Sequence, residues 1–233
     1  MRINDELSKP VFVHAAKMDW VASPSAGVDR RMLFRVGGEI ARATSVVRYA
    51  QGSAFPRHTH GGGEEILVLE GVFQDEHGDY PAGTYFRNPP GTSHVPASKG
   101  GCTIFVRLWQ FRQRDRTQIA RLPIQGQEIQ GQQVAPRPGA IRATVLFDDG
   151  HEEVRLEDWR PGETIKVANT RGLEFFVVSG AVRIGSEVLE QQSWGRLPSG
   201  AELHATVGPQ GARIWMKAAP LLHPDVCRLP GAA

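Results

Sequence analysis

Residues 52–71 read GSAFPRHTHGGGEEILVLEG. His58 and His60 stand one residue apart, followed by three glycines, two glutamates and an apolar run. Side chains two apart on a strand point to the same face, so the two imidazoles project together. Gly61–Gly63 let the chain turn through conformations that other residues resist. Such a turn brings one of the carboxylates, Glu64 or Glu65, back towards the imidazoles. Further on, Pro89-Pro90-Gly91 makes a stiff turn before His94, which opens another strand and can approach from across a barrel. Three imidazoles and one carboxylate make a metal site of the nitrogen/oxygen type.

The rest of the chain reads as all-β. Its apolar runs are short and rich in Val, Ile, Phe and Trp: SVVRYA, EILVLEG, CTIFVRLWQF, RATVLF, EFFVVSG and RIWMKAAP. Turns such as DWRPGE separate them, and the 26 glycines and 16 prolines favour turns over long helices. No run approaches the roughly 20 residues of a membrane helix. The N-terminal MRINDELSKPVFVH lacks the features of a signal peptide. Cys102 and Cys227 are too few for a disulfide framework, which fits a reducing cytoplasm. Cys102 lies in an apolar run and reads as a small core residue. The net charge is +2 and scattered, with no basic stripe to hold nucleic acid.

The chain contains a repeat at an offset of about 110 residues, the length of a domain. SVVRYAQGSAFPRH, ending at His58, parallels VRLEDWRPGETIKV, ending at Val167. EEILVLEG parallels LEFFVVSG, and the stretch ending at His94 parallels the one ending at Leu203. The polar, arginine-rich QFRQRDRTQIAR around residues 110–121 marks the boundary. The expected division is an extension over 1–30, a metal-binding domain over 31–112, a linker over 113–137 and a degenerate second domain over 138–233. In the second copy Val167, Asn169, Leu173 and Leu203 fall opposite His58, His60, Glu64 and His94, and Glu174 matches Glu65. The metal site is therefore expected in the first copy alone. His14, His77, His151, His204 and His223 read as ordinary surface or core histidines. Asp75, Glu76, His77 and Asp79 read as an exposed turn, and Glu70 as solvated.

The spacings resemble the cupin superfamily. Its first motif, G-x5-H-x-H-x3,4-E-x6-G, appears as Gly52, His58, His60, Glu64 and Gly71. Its second, G-x5-P-x-G-x2-H-x3-N, appears as Gly83, Pro89, Gly91 and His94, with Ser98 where Asn is usual. The resemblance implies two tandem cupin domains, each a double-stranded β-helix or jelly roll. It places the metal on His58, His60, Glu64 and His94, choosing Glu64 over Glu65. The stretch FPRHTHGGGEEILVLEGVFQDEHGDYPAGTYFRNPPGTSH is further similar to the cupin domain of the ChrR family, zinc-binding anti-sigma factors of bacterial oxidative-stress responses. That similarity implies one zinc ion per chain, although the same donors also suit iron, manganese, nickel or copper.

The resemblance implies a sensor or regulatory protein in anti-sigma signalling, with a sigma factor or another regulatory protein as partner. In that family a separate helical domain with its own zinc motif holds the sigma factor. After His14 the positions of its two cysteines are Met18 and Val21, so this sequence is expected not to grip a sigma factor in that way. The arginines Arg112, Arg114 and Arg116 read either as a dock for an acidic partner or as a solvated linker. A second reading is a metal-dependent dioxygenase that binds a small molecule and cleaves a diketone, an acetophenone or a flavonol. A third is a purely structural double cupin. No catalytic side chain beyond the metal ligands is expected, and cupins commonly pair as homodimers through sheet edges.

Overall fold

A computed structural model describes residues 1–124 and 128–230. It is all-β: the described residues form antiparallel strands and a single 3-10 turn, Ala15–Lys17. No described helix is long and apolar enough to cross a membrane. The chain divides into two compact units. One takes Met1–Asp5, Asp19–Gln130 and Leu222–Ala233, and the other takes Glu6–Met18 and Gly131–Leu221.

Each unit is built on the same order of strands. In the first, Val28–Gly37, Ala41–Tyr49, Cys102–Leu108, Glu64–Asp75 and Tyr85–Asn88 lie side by side. In the second, Ala140–Asp148, Glu153–Trp159, Leu203–Ala218, Leu173–Ile184 and Ser193–Leu197 repeat that order. The register matches as well. His58 lies opposite His94 in the first unit, and Val167 lies opposite Leu203 in the second. Glu64 and Leu173 each begin a 12-residue strand. Further along these two strands stand Gly71 and Gly180, at φ 70° and 75°. A Cβ there would lie 2.1 Å from the Gly101 carbonyl oxygen or 2.0 Å from that of Gly211. Only glycine meets both demands at once. The repeat seen in the sequence is thus a repeat of backbone geometry.

The domain boundaries differ from the expected ones. Residues 113–137 are not a bare linker. Ile119–Arg121 pairs with Tyr85–Asn88 at the edge of the first sheet, and Gln132–Val134 pairs with Ala140–Asp148 in the second. Asp115 is buried and receives a 2.9 Å hydrogen bond from Arg87, itself fully buried. A polar composition hid a segment ordered by an ion pair. Residues 1–30 are likewise no free extension. Val11–His14 pairs with Ser193–Leu197 at the edge of the second sheet, the place Ile119–Arg121 takes in the first. Each unit so covers a sheet edge that would otherwise offer unpaired backbone groups.

Along Glu64–Asp75 the side chains alternate between two faces. Ile66 and Val68 enter the apolar core with Phe73, Phe86, Ile104 and Val106. Burying each such side chain contributes roughly 1.5–3 kcal/mol. Glu65 points to the opposite face, where Arg107, its cross-strand neighbour, and the Tyr85 hydroxyl donate to it. The second unit places Glu174 opposite Lys217 in the same register, with Trp194 Nε1 donating to Glu174 at 2.8 Å. Removing one partner of such a buried pair leaves an uncompensated charge, at a cost of about 3–5 kcal/mol. Arg107→Met should therefore destabilise the first unit by about that amount. Urea unfolding of this variant beside the wild type checks it; a loss below about 1 kcal/mol would show that Glu65 finds another partner.

Candidate metal centre

The four residues picked out by spacing come together. One donor atom from each of His58, His60, Glu64 and His94 lies within 4.8 Å of the others. His58 reaches the site from the short strand His58–Thr59, which pairs with Ser93–His94. His60 follows it, held by backbone hydrogen bonds from its amide to Thr92 O and from the Gly91 amide to its own carbonyl, 2.8 and 2.9 Å. Glu64 opens the next long strand on the face shared with Ile66 and Val68. Its Oε2 lies 3.2 Å from His60 Nε2 and 3.3 Å from His94 Nε2. Two donors each about 2.0–2.2 Å from one ion stand at about such a separation.

The outward nitrogens decide what the inward ones can do. His58 Nδ1 is 3.0 Å from the Pro56 carbonyl, which can only accept. His94 Nδ1 is 3.1 Å from Asp75 Oδ2. His60 Nδ1 is 2.9 Å from Thr92 Oγ1, whose proton is already donated to Pro89 O at 2.8 Å. Each Nδ1 therefore carries a hydrogen, and each neutral imidazole turns the bare Nε2 lone pair inwards. His60 Nε2 and His94 Nε2 are buried and have no hydrogen-bond partner. Such an atom costs free energy unless something else satisfies it. Lone pairs converging beside a buried carboxylate fit a divalent cation.

The charges agree with this geometry. Burial opposes ionisation of Glu64, yet the imidazoles of His60 and His94 outweigh it and hold the carboxyl well below its usual range. Burial also opposes the charged form of His94, but Asp75 and Glu64 prevail and push it up to about 9. Burial lowers the basicity of His58, partly offset by the Pro56 carbonyl. A proton and a divalent ion compete for the inward Nε2 of His94, so metal affinity falls as pH falls.

The glycine run has a steric reason as well as a conformational one. A Cβ on Gly61 would stand 2.6 Å from the Trp109 ring, and one on Gly62 would stand 2.3 Å from it. Gly63, at φ 79°, lies against Phe111, 2.3 Å from where its Cβ would be. Trp109 itself sits at φ 58°, held by its amide to Gly63 O and by Arg42 Nε to its carbonyl. The loop between His60 and Glu64 is so clamped from outside by two aromatic rings.

Asp75 departs from its sequence reading. The composition of its turn implies exposure, but its side chain is 4% exposed because it reaches back to His94. Its other oxygen accepts from the His77 amide at 2.8 Å and closes the turn. Glu76, in the same turn, accepts from the Val95 amide and from Arg57. Nothing in the local sequence separates Asp75 from Asp79; only the pairing of Glu64–Asp75 with Gly78–Pro81 brings it under His94. Glu65 faces away from the site, as described above. Cys102 and Cys227 are free and buried, and burial pushes the Cys102 thiol up to about 11. In the second unit Val167, Leu173 and Leu203 belong to the apolar core. Asn169 staples a loop through the carbonyls of Leu197, Pro198 and Ala201 and the amide of Gly172.

Two substitutions test the support around the site. Asp75→Asn keeps the turn but removes the charge behind His94, and should weaken divalent-metal affinity about 10–100-fold. Chelator-competition titration reads this, and unchanged affinity would mean that Asp75 serves the turn alone. Gly62→Ala forces Trp109 off the loop and should lower both metal affinity and the thermal midpoint. Retention of both would show that the ring moves aside freely.

Residues 8–112 match the family model described as the ChrR cupin-like domain. No curated protein matches the sequence. Several solved structures share the fold at low identity. A candidate dioxygenase from Nostoc punctiforme is 14% identical with a TM-score of 0.67, covering 97% of this chain and 88% of its own. The Escherichia coli pirin YhhW, solved with nickel(II), is 17% identical with a TM-score of 0.65, covering 91% and 99%. A point mutant of the oxalate decarboxylase from Bacillus subtilis is 12% identical with a TM-score of 0.60, covering 93% and 78%. Residues 8–112 thus carry a ChrR cupin-like domain, and the chain shares the fold of these solved cupin structures.

Proposed function

We propose that the first unit binds one divalent metal ion, zinc in the first instance, through His58, His60, Glu64 and His94, and acts as a metal-dependent sensor or regulatory module of the ChrR type. The observation that carries this is the set of outward acceptors, Pro56 O, Thr92 Oγ1 and Asp75, which turn the Nε2 atoms towards one carboxylate. A bound divalent ion supplies binding free energy to the folded state and, where a coordination position stays open, Lewis-acid chemistry. The protein supplies the rest. Glu64 brings the negative charge, the three imidazoles bring fixed lone pairs, and Phe55, Phe73 and the other histidines pack their rings. The ligands come from three separate segments of the first unit, so loss of the ion would loosen their mutual packing. That coupling is what a sensor needs. The ChrR cupin-like match over residues 8–112 supports the regulatory reading. A sigma factor or another regulatory protein is the proposed partner.

A metal-dependent dioxygenase is the second reading. It is favoured by the partial exposure of His58, which leaves one side of the donor cluster near solvent, and by the shared fold with the candidate dioxygenase. In it, His60 and His94 hold the buried side of the ion and a small substrate enters past His58.

Elemental analysis of protein purified without added metal should give one divalent ion per chain. His58→Ala and His94→Ala should abolish it, and His77→Ala should not. Chelation should lower the thermal midpoint of the wild type and leave the two ligand variants unmoved. Stoichiometric zinc supports the sensor, and iron or manganese with dioxygen uptake in the presence of a diketone supports the enzyme. Two ions per chain, or equal loss in His77→Ala, would overturn the ligand set.

A further inference from the structure

The second unit has replaced the metal donors without closing the space they occupy in the first. A cavity of about 270 Å³ remains there, with Val167, Leu173 and Met216 on its apolar side. Val167 and Leu173 stand in the register positions of His58 and Glu64. Its charged lining is Arg137, Arg155, Arg171 and one carboxylate, Glu153, with Asn169 and Thr170 beside them. We infer that this cavity is a second ligand site, for a small organic monocarboxylate with an apolar body.

The charges set the class of ligand. Arg137 is engaged by Glu157 through two hydrogen bonds, 2.8 and 2.9 Å. Arg155 is engaged by Glu153 through two, 2.7 and 2.8 Å. Arg171 faces no carboxylate among the described residues; its Nη1 meets only the Gly150 and His151 carbonyls, both at 3.2 Å. The lining thus carries one uncompensated positive charge, which suits a monoanion better than a phosphate or a dicarboxylate. Arginine N–H groups present the donors that a carboxylate takes in pairs. Arg155 hydrogen-bonds Glu153 through Nε and Nη2, while its Nη1 stands 3.9 Å from Glu157, beyond hydrogen-bond distance. The aliphatic wall then takes the ligand's apolar body, a combination of apolar lining and few polar anchors that marks small-molecule sites. No metal is needed, and the site is independent of the one in the first unit.

The test uses the full chain labelled with ¹³C-methyl methionine. Its four methionines include Met216 on the cavity wall and Met32 in the first unit. The Met216 signal is assigned by its loss in Met216→Leu. Benzoate should shift the Met216 methyl saturably and leave Met32 in place, whatever the metal content. Acetate should bind more weakly, and inorganic phosphate should not compete. Arg171→Gln and Arg155→Gln should each raise the Kd for benzoate at least tenfold, with an unchanged Met32 signal showing that the fold is intact. No saturable shift at Met216, equal binding of phosphate, or benzoate affinity kept in both arginine variants would overturn the inference. A failure of metal binding at His58 and His94 would leave the Met216 result untouched, so the two sites stand or fall separately.

Discussion

The bond between Glu65 and Arg107 lies on the far side of its strand from the metal donors, and it determines which glutamate faces them. Two adjacent carboxylates cannot share one face of a strand. Once Glu65 is fixed outwards by a cross-strand cation and the Tyr85 hydroxyl, Glu64 must point into the barrel. A slip of one residue would exchange them and carry Ile66 and Val68 out of the core with the same movement. Core packing and metal site are therefore set by one register. The second unit fixes the matching residue differently, with Trp194 Nε1 donating to Glu174 while Lys217 pairs with Glu152, although it has given up the metal ligands.

Much of the site is legible in the sequence because its ligands sit at fixed spacings along extended chain. His58 and His60 follow from the period of a strand, and the strand pairing His58↔His94 joins them to the distant third imidazole. The choice between Glu64 and Glu65 is not open to spacing alone, since both follow the same glycines. It needs the family resemblance, and the structure supplies the physical reason in Arg107, 42 residues away. Asp75 is illegible for a related cause. Its role depends on a hairpin folding back under His94, and a turn rich in acidic residues looks the same with or without that contact.

The fold is legible where apolar alternation is strong and obscure where order comes from polar groups. The segment after Phe111 lacks alternation, so it resembles a linker, yet Arg87 and Asp115 pin it and Ile119–Arg121 closes a sheet edge. The N-terminal segment shows the same blindness from the other direction. Val11–His14 is too short to signal its partner, and its partner lies more than 170 residues later. Edge strands contribute few core residues, so composition says little about which sheet they join. The glycine run reads as a flexible turn, whereas its conformation is also dictated by the two rings that lie on it.

The two units show opposite solutions to one energetic problem. The bare Nε2 atoms of His60 and His94 are buried and unsatisfied, and each costs about 1–3 kcal/mol in the absence of a partner. In the first unit that cost stands unless a cation offsets it. In the second unit Val167, Leu173 and Leu203 replace polar atoms with buried apolar surface, which stabilises the barrel without any ion. These side chains do not fill the volume completely, and the residual cavity is edged by a cation with no carboxylate of its own. The second unit therefore needs no ion at these positions, and the cavity beside them offers arginine donors where the first unit offers metal ligands.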